Sequence, residues 1–276
     1  MSDKIRLLCL YTICGTVVVA FVNMYELFTY LRNMLGSSFM TTAPLVLPAA
    51  VISLLFLYVV TSRKDEIRLR WIFLISGLII TAFALAFPDP EIPVKRIHVT
   101  EYALLSLLVR YTMSFRHKGA ALLVYSIFFT SILGIHDEFL QGIHAKRTYG
   151  LKDMGVNILS AIGSGMILHG CGLFNNSSSM RNVNEASHVS SHFYLIILAI
   201  SLATAAFPLI GYLGTAIPLW PFMPLAAAFV FWSCFVFVDT PKSSAHMDHG
   251  ISAITMASLL FLLYPVITNV FQITFR

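Results

Sequence analysis

Asp137 and Glu138 stand side by side in an otherwise apolar stretch that reads His136-Asp137-Glu138-Phe139-Leu140-Gln141. Two adjacent carboxylates near a helix C-terminus oppose the macrodipole and repel each other. A nearby cation, a proton or a bound ion has to offset that cost, and Lys146 and Arg147 follow shortly afterwards. Upstream, Lys95 precedes His98 and Glu101, which are three apart and share one helix face. Downstream, Asp153 and Asn157 are four apart, and the same stripe continues to Ser160 and Ser164. These residue types could do acid–base work, with Asp137 or Glu138 as base, His98 as acid or its partner, and Arg147 stabilising charge. They could equally bind a ligand, with Lys95, Glu101, Gln141, Arg147, Asp153 and Asn157 supplying ion pairs and hydrogen bonds.

Simpler roles account for several of them singly. Glu101 and Asp153 fall near helix N-termini, where a carboxylate is favoured by the dipole. Asn157 suits an interhelical hydrogen bond, and Lys95 or Arg96 suits a side chain reaching to the headgroup layer. The Asp137-Glu138 pair is different, because ionisable groups near membrane depth are costly and mark functional sites. His98, Glu101, His136, Asp137, Glu138, His144 and Asp153 have the right atoms for a metal, but HExxH, paired Cys/His and EF-hand spacings are absent. No metal site or cofactor is therefore assigned, a divalent cation remaining an alternative counter-charge for the carboxylates.

The elements that position these residues are apolar helices. The chain is 58% hydrophobic and 11% charged, with a mean hydropathy of +0.81, too apolar to cover a soluble core of this size. Nine blocks are long enough to be helices of an all-α polytopic transmembrane bundle: 7–31, 44–60, 71–87, 98–116, 120–141, 153–174, 192–213, 218–238 and 251–270. They lack the two-residue alternation of barrel strands. Ser62 to Glu66 reads as a charged turn, Phe87 to Pro93 as a break, Asn175 to Ser191 as a polar connector, and Gly214 to Pro218 as a weak break. The expected organisation is two N-terminal helices over 1–70, a four-helix core over 71–174, a linker over 175–191 and three helices over 192–276. The first block, behind Lys4 and Arg6, is long for a signal peptide and reads as a retained helix.

Basic residues set the expected orientation. With the N-terminus cytoplasmic, eleven Lys and Arg residues fall inside and seven outside, a bias that suits a multi-pass protein of a cytoplasmic (inner) membrane. Cys9, Cys14, Cys171 and Cys234 then sit in inner halves of helices, with no CxxC among them, as packing residues. No basic stripe points to nucleic acid. Helix hairpins bring the start of the fourth block, the end of the fifth and the start of the sixth to one face, extracytoplasmic on this count. The expectation there is a shallow cleft ringed by the residues named above.

The same residues carry a family resemblance. Lys95, His98, Glu101 and Tyr102, followed by Asp137-Glu138-Phe139-Leu140-Gln141, Arg147, Asp153, Asn157 and Gly165, resemble in order and spacing the signature of the VanZ-like family. The match covers about residues 71–174. It implies a small helical core with its polar signature at the membrane surface, and an accessory role in the cell envelope of the kind linked to lipoglycopeptide antibiotic resistance. It brings no settled reaction. Three functions follow: a binding module for the headgroup of an envelope lipid or lipid-linked saccharide, with membrane-protein partners open; an enzyme acting on such a lipid; and a transporter. An apolar helix midplane disfavours the last.

Overall fold

A computed structural model describes residues 3–62, 70–89, 92–174, 186–239 and 249–276, and these are helical with no strand among them. The helices are α1 (Asp3–Leu35), α2 (Ser37–Ser62), α3 (Trp71–Ala86), α4 (Ile97–Ser114), α5 (Gly119–Ile143), α6 (Leu151–Gly170), α7 (Ala186–Ala206) and α8 (Met223–Asp239). The last, α9, spans His249–Val270 and tightens to a 3-10 turn at Leu260–Leu262. Each expected block coincides with one helix, as an all-α bundle requires. The charged turn at 63–66, most of the polar connector and the segment 240–248 lie outside the described residues.

Among the described residues four spans are long and apolar enough to cross a bilayer: Lys4–Leu35, Gly119–Ile143, His192–Tyr212 and His249–Val270. The protein is a helical membrane protein. α4 and α6 fall outside that set because they carry the polar residues of interest. Large apolar side chains such as Leu8, Ile72, Ile79, Met223 and Phe271 point away from the protein, as lipid-facing positions do.

The chain divides into two compact units, Met1–Asp137 with Lys152–Ser177, and Glu138–Leu151 with Ser178–Arg276. In the first, α1 and α2 meet at Gly36, whose φ of +88° only glycine adopts without strain. Its amide donates to Arg32 O at 2.8 Å, closing α1. α3 and α6 pack backbone to backbone. A Cβ at Gly77 would stand 2.8 Å from Gly163 O, and one at Gly163 would stand 2.5 Å from Thr81 Oγ1. Gly165 meets Ile127 of α5 in the same way, so the small residues of α6 serve close helix approach.

In the second unit, α7 runs into a 3-10 turn over Phe207–Tyr212, and the chain breaks before Trp220–Phe222 leads into α8. The expected weak break therefore falls in a non-helical stretch between the two flanks. An aromatic cluster centred on Phe139 fills the middle, with Tyr149, Phe222, Phe261, Tyr264 and Phe275 at ring-centroid distances of 5.0–6.3 Å. The 271–276 segment is tied down by backbone bonds from Arg276 N to Gly142 O at 2.8 Å and from Tyr149 N to Arg276 O at 2.6 Å.

Candidate functional site

Sequence spacing alone places polar residues near helix ends; packing then sorts them into two sets. In the first unit the residues come from the start of α4, the end of α5 and the start of α6. His98 and Glu101 share a face of α4, and Nδ1 of His98 lies 2.9 Å from Oε2 of Glu101. Tyr102, the next residue, donates its hydroxyl to Asp137 Oδ2 of α5 at 3.2 Å. Lys95, in a 3-10 turn that leads into α4, reaches Asp153 Oδ2 at 2.6 Å. Asp153 sits in the first turn of α6, where the dipole also favours it. Asn157, one turn on, donates Nδ2–H to the carbonyl of Gly134 at 3.1 Å. That contact needs glycine at 134, where a Cβ would stand 2.9 Å from Asn157 Cβ and 3.1 Å from the Tyr102 ring. Arg96 turns elsewhere, donating Nε–H to Leu85 O at 3.0 Å.

The second unit holds the other half of the acidic pair. Glu138 accepts the Gly150 amide at Oε2, 3.1 Å away, and the Gln141 side-chain amide at Oε1, 3.4 Å away. Arg147 donates to Gln141 Oε1 at 2.5 Å. The carboxylate thus ties the Gly150 end of the 144–150 loop back to α5, and Gln141 relays it to the guanidinium of Arg147. Tyr149 donates its hydroxyl to Ala206 O at 2.7 Å. Burial, and after it the charge of Glu138, raises the Tyr149 phenol above the ordinary tyrosine range, which keeps it a neutral donor.

The adjacent carboxylates are therefore separated by helix geometry. Consecutive side chains diverge by about 100° on a helix, so Asp137 meets Tyr102 while Glu138 meets the loop. Tyr102 belongs to the VanZ-like resemblance but not to the residues expected from spacing to bind or catalyse, and Gly150 belongs to neither. A backbone amide leaves no mark in a sequence, so Gly150 could not have been found there.

The expected open cleft is not what the side chains form. Glu101, Asp137, Glu138 and Asp153 are between 0% and 6% exposed, and His98, Gln141 and Asn157 are also buried. Lys95 and Arg147 alone among the candidate residues are partly exposed. The physical reason is that ion-paired and hydrogen-bonded carboxylates can be enclosed, whereas long cationic stems carry their charge outward. Asp153 Oδ1 is enclosed without a hydrogen-bond donor among the described residues. Among the described residues no group of three or more His, Cys, Asp or Glu side chains could hold a metal ion; His136 and His144 do not converge with the carboxylates into one. The chain matches no family model, no curated protein and no solved structure.

Proposed function

We propose that this is a VanZ-like multi-pass protein of the cytoplasmic membrane, with a cytoplasmic N-terminus, that binds the headgroup of an envelope lipid or lipid-linked saccharide at its outer face. The observation that carries the proposal is the pattern of burial. Carboxylates enclosed at the ends of apolar helices lead outward through one partly exposed cation in each unit, Lys95 through Asp153 and Arg147 through Gln141. Ionisable groups cost several kcal/mol to enclose at such a depth unless paired, so a protein that only needed to tie helices together would be served by neutral groups.

The charge balance of the first unit's set narrows the ligand. The set holds the carboxylates of Glu101, Asp137 and Asp153, with Lys95 on Asp153 and His98 on Glu101, which makes it rich in acceptors and poor in fixed positive charge. Hydroxyl donors of a saccharide suit it better than a bare phosphate. Arg147, in the second unit, is the group suited to a phosphate or carboxylate. An envelope accessory role, of the type the family resemblance implies, follows from such a ligand.

Native mass spectrometry of gently purified protein with lipids retained tests this, comparing wild type with Glu138→Gln, Arg147→Ala and Lys95→Met. A defined saccharide- or phosphate-bearing lipid on the wild type, depleted about tenfold in the variants, is the expected result. Identical lipid profiles for all four proteins would make the polar sets structural ties and end the proposal. Turnover of the retained lipid on incubation would instead favour an enzyme, with Asp137 or Glu138 as base and His98 as acid or its partner.

A further inference from the structure

The other end of the first unit gathers groups of the opposite sign. Arg70 immediately precedes α3, Arg110 lies near the end of α4, and His169 is next to the last residue of α6. Their side chains line up: Arg70 Nη1 is 2.6 Å from His169 Nε2, and Arg110 Nη2 is 3.5 Å from His169 Nδ1. Phe73 packs edge-on against the imidazole with centroids 4.7 Å apart. Arg110 is 0% exposed, the largest fully buried side chain among the described residues, while Arg70 is exposed.

Helix capping explains part of the arrangement. α6 ends in a Schellman motif, with Leu173 N bonded to Leu168 O at 3.1 Å, Gly172 N to His169 O at 3.0 Å, and Gly172 at a φ of +67°. Arg110 Nε donates to Leu173 O at 3.0 Å, and the Arg70 amide donates to Gly170 O at 3.2 Å. Cations at a helix C-terminus are favoured in this way.

Capping does not account for the remaining donors. A neutral imidazole offers one acceptor nitrogen and one N–H. With Nε2 accepting from Arg70, the proton on Nδ1 faces the Arg110 guanidinium, donor against donor. Arg110 Nη1 is enclosed and has no acceptor among the described residues. The ion pairs seen among the described residues, Lys95–Asp153 and His98–Glu101, lie elsewhere. Arg6 adds a further cation, held by Tyr111 OH at 3.0 Å and by the Phe115 ring at 4.2 Å. Buried guanidinium charge without a carboxylate calls for an anion.

We propose that Arg70, Arg110 and His169 form an anion site that takes a phosphate group, second to and independent of the saccharide-binding sets. Arg70 meets the phosphate from the exposed side, and Arg110 Nη1 with the Nδ1–H of His169 supplies the enclosed donors. Guanidinium donors match phosphate oxygens in geometry and charge. On the proposed orientation this end faces the cytoplasm, where anionic lipid headgroups are concentrated.

The test uses delipidated full-length protein in detergent, titrated by native mass spectrometry with phosphatidylglycerol, phosphatidylcholine or inorganic phosphate. Wild type is expected to bind one phosphatidylglycerol at least about tenfold more tightly than Arg70→Gln does, the loss of one charged hydrogen-bonding partner. Arg70 is exposed, so this variant keeps the fold, and Lys152→Gln, which removes an exposed charge belonging to neither proposed site, should bind as wild type does, which separates this site from a general loss of surface charge. Preference for phosphatidylglycerol over phosphatidylcholine assigns the phosphate to a lipid; binding of inorganic phosphate that depends on Arg70 and competes with neither lipid assigns it to a soluble anion. Equal binding of phosphatidylglycerol, and equal binding of inorganic phosphate, by wild type and Arg70→Gln would overturn the site. So would binding that tightens about tenfold in Asp65→Asn/Glu66→Gln, since those carboxylates would then be the native counter-charge.

Discussion

Lys95 and Asp153 show how a membrane protein encloses a carboxylate. Asp153 is almost wholly buried, with 8% side-chain exposure against 34% for Lys95, so removing the lysine leaves a charge with less to offset it. Lys95→Met should destabilise the protein by about 1–2 kcal/mol, a figure reduced from that of a deep ion pair because the lysine is partly solvated. Lys95→Met/Asp153→Leu should recover most of the loss, and thermal unfolding of the four proteins of the cycle checks both points. Tyr149 gives a pH-dependent counterpart. Its phenol keeps its proton to higher pH in the folded chain than in the unfolded one. Unfolding therefore releases that proton from about pH 10 upward, and the stability it contributes falls as the pH rises. Tyr149→Phe should cost about 1 kcal/mol near neutral pH through the lost bond to Ala206 O. The gap to wild type should narrow in strong alkali, and a gap that stayed constant would show that the phenol does not carry this linkage.

At the level of elements, the first unit depends on helices that approach more closely than side chains normally allow. α3 and α6 touch at Gly77, Thr81 and Gly163, with backbone carbonyls where side chains would otherwise stand. Gly77→Leu should force them apart, lowering stability by about 1–3 kcal/mol. Because α6 carries Asp153 and Asn157, lipid retention should fall with stability in that variant, whereas Gly15→Leu, at a position with open space around it, should change neither. Detergent melting curves read alongside retained lipid would separate the two cases. The end of α5 works differently. Helix rotation alone gives Asp137 and Glu138 different partners, so the electrostatic strain expected of adjacent carboxylates is relieved by distributing them.

For the whole molecule, the distribution of basic residues makes orientation testable. Single cysteines at 95 and 147 in a cysteine-free background should react with an impermeant maleimide added outside intact cells. Cysteines at 70 and 118 should react only after permeabilisation. The reverse pattern would invert the proposed topology and place the Arg70–His169–Arg110 line outside.

Composition and block length by themselves determined a great deal. Among the described residues each apolar block lies in a helix, because a segment that must satisfy its own backbone in lipid has little choice but to be helical. The residue types at the candidate site were legible too, since a carboxylate in an apolar run is conspicuous and its helical spacing predicts the face it shares. Partners were not. That His98 meets Glu101 follows from spacing along one helix, but Tyr102 with Asp137, Lys95 with Asp153 and Glu138 with the Gly150 amide join different parts of the chain. The enclosure of those groups, which turned an expected cleft into buried networks with exposed cations, was likewise decided by packing. The line of Arg70, His169 and Arg110 left no local signal at all, because its members come from three helix ends far apart in sequence. A one-dimensional pattern records what each residue offers; which offers are met depends on helix approach and rotation, and those are fixed only when the small residues of α3 and α6 let the backbones close.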